Sequence, residues 1–199
     1  MAPVLVFDMG GVLYDFQGDR LVAEHSRRRR RWRSEEVQQR WPELALAFET
    51  GACSEAAFAD AILRHYELAL DPAAFLDAFR DAAVGFYDGA LPLLSELASR
   101  FPLLSLSNTN GLQWPKLLSD LGPNDPFRAH HPSHLSGFHK PDRRAFEALD
   151  ATLPLDVECY FFDDRAQNVA AATAHGWRAQ RVRGVAEARR ACVEWGFLG

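Results

Sequence analysis

The chain is 199 residues long, 48% hydrophobic and 25% charged, with a formal net charge of −5 at pH 7. That is enough apolar material for one sizeable core, and the acidic balance speaks against a dedicated nucleic-acid binder. No apolar run approaches the ~20 residues that span a bilayer, and the start MAPVLVFDMGG has neither the charged nor the long apolar region of a signal peptide, so a cytoplasmic protein without membrane contact is expected.

The first element is the apolar run Pro3 to Phe7, which stops abruptly at Asp8. Val4, Leu5, Val6 and Phe7 show no polar alternation, as in a central parallel strand buried on both faces. Gly10 and Gly11 then permit a tight turn. From about Gln17 to Gly85 the pattern is helical, with no convincing strand. Phe58, Ile62 and Leu63 recur at helical spacing, and Asp71-Pro72 reads as an N-cap followed by proline in the first turn. From Gly89 onward helices and strands alternate. A helix over 91–100 precedes the apolar run 103–106. A helix over 112–121 is followed by a weak strand over 127–131. A helix over 142–149, a strong strand over 159–162, a helix over 166–175 closed by Gly176, and a strand over 177–182 complete the series. This predicts an α/β fold: a doubly wound, Rossmann-like parallel sheet, residues 1–15 and 86–199, with an inserted helical cap, residues 16–85.

Ligands of such sheets sit at the carboxyl ends of the strands. Three strands end in telling residues: Asp8, then Ser107-Asn108-Thr109-Asn110, then Asp163-Asp164. Lys140, before Pro141, opens a helix. Several carboxylates on one rim repel unless a cation intervenes, and oxygen ligands favour Mg²⁺. The metal, Lys140 and the Ser107 hydroxyl would together hold a phosphoryl group, and Asp8 facing its phosphorus is a competent nucleophile.

Asp8-Met9-Gly10-Gly11-Val12, Ser107-Asn108, Lys140-Pro141 and Phe162-Asp163-Asp164 resemble the four ordered motifs of the haloacid dehalogenase-like superfamily. The helical insertion resembles that family's cap, and the likeness runs from about residue 3 to about 185. Leu106 to Asn110, Phe161 to Asp164 with Asn168, and Phe48-Glu49-Thr50-Gly51 leading to Ser54 to Phe58 look most like the alpha-D-glucose-1-phosphate phosphatase branch. The resemblance implies a Mg²⁺-dependent phosphatase acting on a small phosphorylated metabolite, a sugar phosphate, with Asp8 catalytic. It implies phosphate binding by Ser107, Asn108 and Lys140. It also implies metal binding by Asp8, the Gly10 carbonyl, Asp163 and Asp164, with Asp164 the leading direct ligand of that pair.

One departure stands out. Most phosphatases of the superfamily carry a general acid/base aspartate where this chain has Gly10. General acid catalysis contributes ~10²–10⁴-fold, so the expectation is a slow enzyme or one restricted to good leaving groups, with Asp15 or His139 as the first alternative proton sources. Two further readings compete: a metal-free 2-haloacid dehalogenase, opposed by Asp163-Asp164, and a degenerate binding protein, favoured by Gly10.

The remaining features have plainer readings. Arg27 to Arg31, continued by Arg33, lies in a helical block before Glu35 and Glu36 and reads as a solvated cap face. His130, His131, His134 and His139 match no closed zinc site. Trp32 and Trp41 read as cap packing. Cys53, Cys159 and Cys192, odd in number and scattered, read as reduced thiols.

Overall fold

The structure is a computed structural model describing residues 2–26 and 34–199. The arginine run from Arg27, with Arg33 and Trp32, lies outside the described residues. In chain order the elements are β1 (Val4–Phe7), β2 (Tyr14–Phe16), α1 (Gly18–His25), α2 (Ser34–Glu49), α3 (Glu55–Tyr66), α4 (Pro72–Asp81), β3 (Ala83–Phe86), α5 (Ala90–Ala98), β4 (Leu103–Ser107), α6 (Trp114–Leu121), β5 (Ala129–Pro132), α7 (Ser133–Ser136), α8 (Arg143–Asp150), β6 (Cys159–Asp163), α9 (Ala166–His175), β7 (Arg178–Arg181) and α10 (Gly184–Glu194).

Five parallel strands form the central sheet in the order β5-β4-β1-β6-β7. Every side chain of β1, β4 and β6 is buried, which explains their largely apolar or small-residue sequences up to the polar residues at their carboxyl ends. The edge strand β7 is largely half-buried to exposed and accordingly reads Arg-Ala-Gln-Arg. One face of the sheet packs Leu5, Phe7 and Phe162 against α5, α6 and α10; the other packs Val6, Leu106 and Phe161 against Phe146 and Trp177. The α/β parallel-sheet fold is therefore as expected.

Helices α1 to α4 gather a separate cluster built on Phe48, Phe58, Ile62, Tyr66, Phe75 and Phe79. Phe48 stacks on Phe58 with ring centroids 4.2 Å apart, and Trp41 lies edge-on to Phe58 at 5.9 Å. The side chain of Ser54 caps α3 by accepting from Ala57 N–H, and Asp71 caps α4 by accepting from Ala74 N–H. Leu112, in the loop after β4, joins this cluster and ties it to the sheet.

The helix-only reading of the insertion needs one correction. β3 falls inside it and pairs antiparallel with β2, Tyr14 opposite Phe86 and Phe16 opposite Ala83. Strands of three and four residues are too short to show a period, and this ribbon is held by packing of Tyr14, Phe16 and Phe86 on the core. Two boundaries also move. The Asn110 carboxamide oxygen accepts from Leu112 and Gln113 N–H, so α6 starts only at Trp114. Asp125 accepts from Phe127 N–H in a turn, so β5 starts at Ala129.

Candidate active site

β1 and β6 are registered so that Asp8 N–H donates to Phe162 O at 2.9 Å, which sets Asp8 beside the carboxyl end of β6. One carboxylate oxygen each of Asp8, Asp163 and Asp164 lies within 4.8 Å of the others. Gly11 makes this approach possible. It sits at φ +73°, and a Cβ there would come 2.9 Å from Asp164 Oδ2.

Lys140 neutralises part of this charge. Its ammonium donates to Leu106 O at 2.6 Å and Asp163 Oδ2 at 2.7 Å, and pairs with Asp8 Oδ1 at 3.0 Å. These three partners match its three donors, and the side chain is 1% exposed. Burial opposes its charge, yet Asp163 and Asp8 outweigh burial and hold its pKa above the usual lysine value. Asp8 carries the opposite balance: burial, more than Lys140 can offset and reinforced by Asp163 and Asp164, pushes its pKa up to about 7. Burial, then Asp163, raises Asp164 as well.

Asp163 is fully enclosed. Besides Lys140 it accepts from Asn168 Nδ2 at 3.0 Å and from Arg165 N–H at 2.8 Å. Asp164 instead faces a cavity of about 820 Å³. The walls are the strand-end residues Asp8, Gly10, Asn108 and Arg165 and, from the helical insertion, Arg20, Trp41, Glu49 and Phe79. Ser107 and Lys140 are nearly sealed behind that wall.

Asn108 turns its carboxamide away from the rim. Its Oδ1 accepts from Lys140 N–H at 2.8 Å, and its Nδ2 donates to Lys140 O at 2.9 Å and to His139 Nδ1 at 3.2 Å. The side chain therefore clamps the Lys140 main chain. His139 Nε2 meets Glu49 Oε2 at 2.8 Å, a contact from the end of α2 that the sequence did not disclose. Of the other histidines, His130 is held by Ser105 Oγ and Asp125, each at 2.7 Å. Asp15, the other alternative proton source, lines the cavity and accepts from Gln17 Nε2.

The tight turn after β1 is present, closed by Leu13 and Tyr14 N–H donating to Met9 O. Gly11 is in the left-handed region but Gly10 is not. What a side chain at position 10 would meet is the Phe16 ring, 3.2 Å from its Cβ.

The site is thus a carboxylate at the end of the central strand of a parallel α/β sheet, flanked by a second acidic strand end and a buried lysine. The sequence pattern of the haloacid dehalogenase-like hydrolases matches residues 3–176, and the chain belongs to that family. No match was found among curated proteins. Solved structures share the fold. The HAD family enzyme bt-2542 from Bacteroides thetaiotaomicron superposes with a TM-score of 0.70 at 21% identity, over 92% of this chain and 94% of that one. The same enzyme in complex with magnesium and inorganic phosphate gives 0.69 at 20% identity, over 92% and 95%. L-2-haloacid dehalogenase from Xanthobacter autotrophicus, with chloropropionic acid covalently bound, gives 0.66 at 21% identity, over all of this chain and 85% of that one. Among the described residues no helix is long and apolar enough to cross a membrane.

Proposed function

We propose that the chain is a Mg²⁺-dependent phosphatase that hydrolyses a small phosphomonoester, a sugar phosphate, through an aspartyl-phosphate on Asp8. The observation that carries this reading is the convergence of Asp8, Asp163 and Asp164 within 4.8 Å, where Lys140 pairs with Asp8 and Asp163, and Arg165 and Arg183 offset part of the charge on Asp164. Crowded carboxylates whose pKa values rise with burial are the donor set a hard cation suits. Asn168 Oδ1, buried beside them, has no hydrogen-bond partner among the described residues and would be a further oxygen acceptor at such a site. Asp8, the Gly10 carbonyl and Asp164 are the ligands we assign, with Asp163 behind them holding Lys140. When bound, the ion would offset the negative charge of the phosphoryl group.

The residues' own part follows from their bonds. Met9 N–H and Lys140 both act on Asp8 Oδ1, which leaves Oδ2 to attack phosphorus. The P–O bond to the sugar breaks as the Asp8–phosphorus bond forms, and water then returns Asp8 and releases phosphate. The main chain of Asn108 lines the cavity at the end of β4, where it would hold the phosphoryl oxygens, with the Ser107 O–H just behind it. Residues 16–85 act as the cap over residues 1–15 and 86–199, joined through the β2–β3 ribbon. The acidic pair supports phosphate chemistry over metal-free dehalogenation, although a 2-haloacid dehalogenase shares the fold.

With no proton donor at Gly10, turnover should depend steeply on leaving-group acidity. A series of aryl phosphates, sugar 1-phosphates and sugar 6-phosphates, each with and without Mg²⁺, tests this. Aryl and 1-phosphates should turn over and 6-phosphates poorly. No hydrolysis of any ester with Mg²⁺ bound would overturn the reading in favour of a binding protein, and Mg²⁺-independent halide release from a 2-haloacid would overturn it in favour of the dehalogenase.

A further inference from the structure

The helical insertion approaches the sheet closely at the end of α2. Glu49 O accepts from Ser133 Oγ at 2.5 Å. Gly51, at φ +71°, lies so close to α7 that a Cβ would come 2.7 Å from His134 O. Between these backbone contacts the Glu49 side chain reaches His139, 90 residues away in the chain. Both are largely buried, Glu49 at 13% and His139 at 8% exposure, so water competes little for the bond.

The hydrogen-bond directions are fixed along the whole line. Lys140 N–H can only donate, so the Asn108 atom facing it is the oxygen, and the amide nitrogen faces Lys140 O and His139 Nδ1. An amide nitrogen only donates, so Nδ1 accepts and the ring proton sits on Nε2, aimed at Glu49. Each donor in the chain Asn108–His139–Glu49 meets one acceptor. The far end of that chain is the Lys140 main chain, whose ammonium lies 3.0 Å from Asp8 Oδ1.

We propose that Glu49 is a positioning residue: acting through His139 and Asn108, it makes the seating of Lys140 against Asp8 depend on the helical insertion being docked. This rests on the reading of Asp8 as the nucleophile. The cavity thus acquires its full charge arrangement only when α2 is in place, which links binding in the cavity to the readiness of Asp8.

Two measurements test this. In ¹H–¹⁵N spectra, Glu49→Ala should shift the Asn108 carboxamide and Lys140 amide signals and release the His139 ring from its Nε2–H tautomer. Glu49→Gln, whose carbonyl can still accept from Nε2–H, should restore them. This readout needs no substrate, so it decides the proposal even if no ester is hydrolysed. In turnover, Glu49→Ala and His139→Ala should each lower kcat by about 10–100-fold, the usual range for outer-shell residues. The double variant should be no worse than the worse single one, and Glu49→Gln should stay within about 5-fold of wild type. Signals of Asn108 and Lys140 that ignore Glu49→Ala overturn the proposal. So do kcat losses that multiply in the double variant, or a fall in melting temperature with kcat unchanged. Loss of all turnover in wild type would instead count against the phosphatase reading.

Discussion

Replacing Asp8 by asparagine separates the cost of holding the carboxylate from its use. Burial raises the Asp8 pKa from its ordinary 3.8 to about 7. A group whose pKa rises on folding contributes fully below its unfolded pKa, and that contribution is lost as pH rises through the folded one. Without metal, Asp8 therefore lowers stability progressively between about pH 4 and pH 7. The whole shift is worth roughly 4 kcal/mol at 1.36 kcal/mol per unit, and the part lost between pH 5 and pH 8 is about 3 kcal/mol. The carboxamide of Asp8→Asn cannot ionise, and Lys140 retains two partners that the substitution does not touch, Asp163 and Leu106 O, at 2.7 and 2.6 Å in the wild type. The stability of Asp8→Asn relative to wild type should then improve by about 3 kcal/mol from pH 5 to pH 8, a differential melting shift of about 6–12 °C for a chain of this size. Thermal melts of both proteins at the two pH values, in chelator, measure it. Saturating Mg²⁺ should shrink the pH-dependent gap, because the ion stabilises the ionised form. A gap that stays constant from pH 5 to pH 8 would refute the argument that burial dominates Asp8. Turnover, measured alongside, should vanish in Asp8→Asn.

Asp164→Ala should weaken Mg²⁺ binding at least 10-fold by calorimetric titration, since Asp164 is the member of the acidic pair that faces the cavity; equal affinity would contradict the assignment. Gly51→Ala should cost about 2 kcal/mol or more, combining a left-handed backbone with the 2.7 Å approach to His134 O. Denaturant melts would show it, and an unchanged midpoint would mean the seam can open there at no cost. Ser54→Ala should cost about 1 kcal/mol through loss of the α3 cap, read in the same melts.

The sheet was legible because β1, β4 and β6 are buried on both faces and so stand out as mainly apolar runs, broken only by the small Ser105 before the polar ends. The rim was legible for a related reason: Asp8, Ser107 and Asp163 are where those runs end, and parallel strands end together. The Lys140 position before Pro141 pointed to the same rim, but its bonds to Asp163 and Leu106 O depend on packing. The ribbon of β2 and β3 was hidden by its shortness. Helix α10 carried a usable signal in Ala188, Ala191 and Cys192 at three- and four-residue spacing, masked by small side chains. The Glu49–His139 contact had no local signature, because it joins residues across an interface whose geometry is set by the aromatic cluster of α1 to α4. Asn108 illustrates the limit most clearly. Its place in the motif was evident, whereas its carboxamide serves the Lys140 backbone and leaves only its main chain towards the rim.

The Phe16 ring, 3.2 Å from where a Cβ at position 10 would lie, makes the two positions epistatic. A proton donor introduced as Gly10→Asp alone would press on a ring already packed against Tyr14 at 4.8 Å. The same change after Phe16→Ala would enter vacated space. In a lineage or a directed-evolution experiment selecting for esters with poor leaving groups, the order of mutation would matter: position 10 gains room once the ring at position 16 shifts by a few tenths of an ångström or is made smaller, so a library varying both positions samples the route more fully than one varying position 10 by itself.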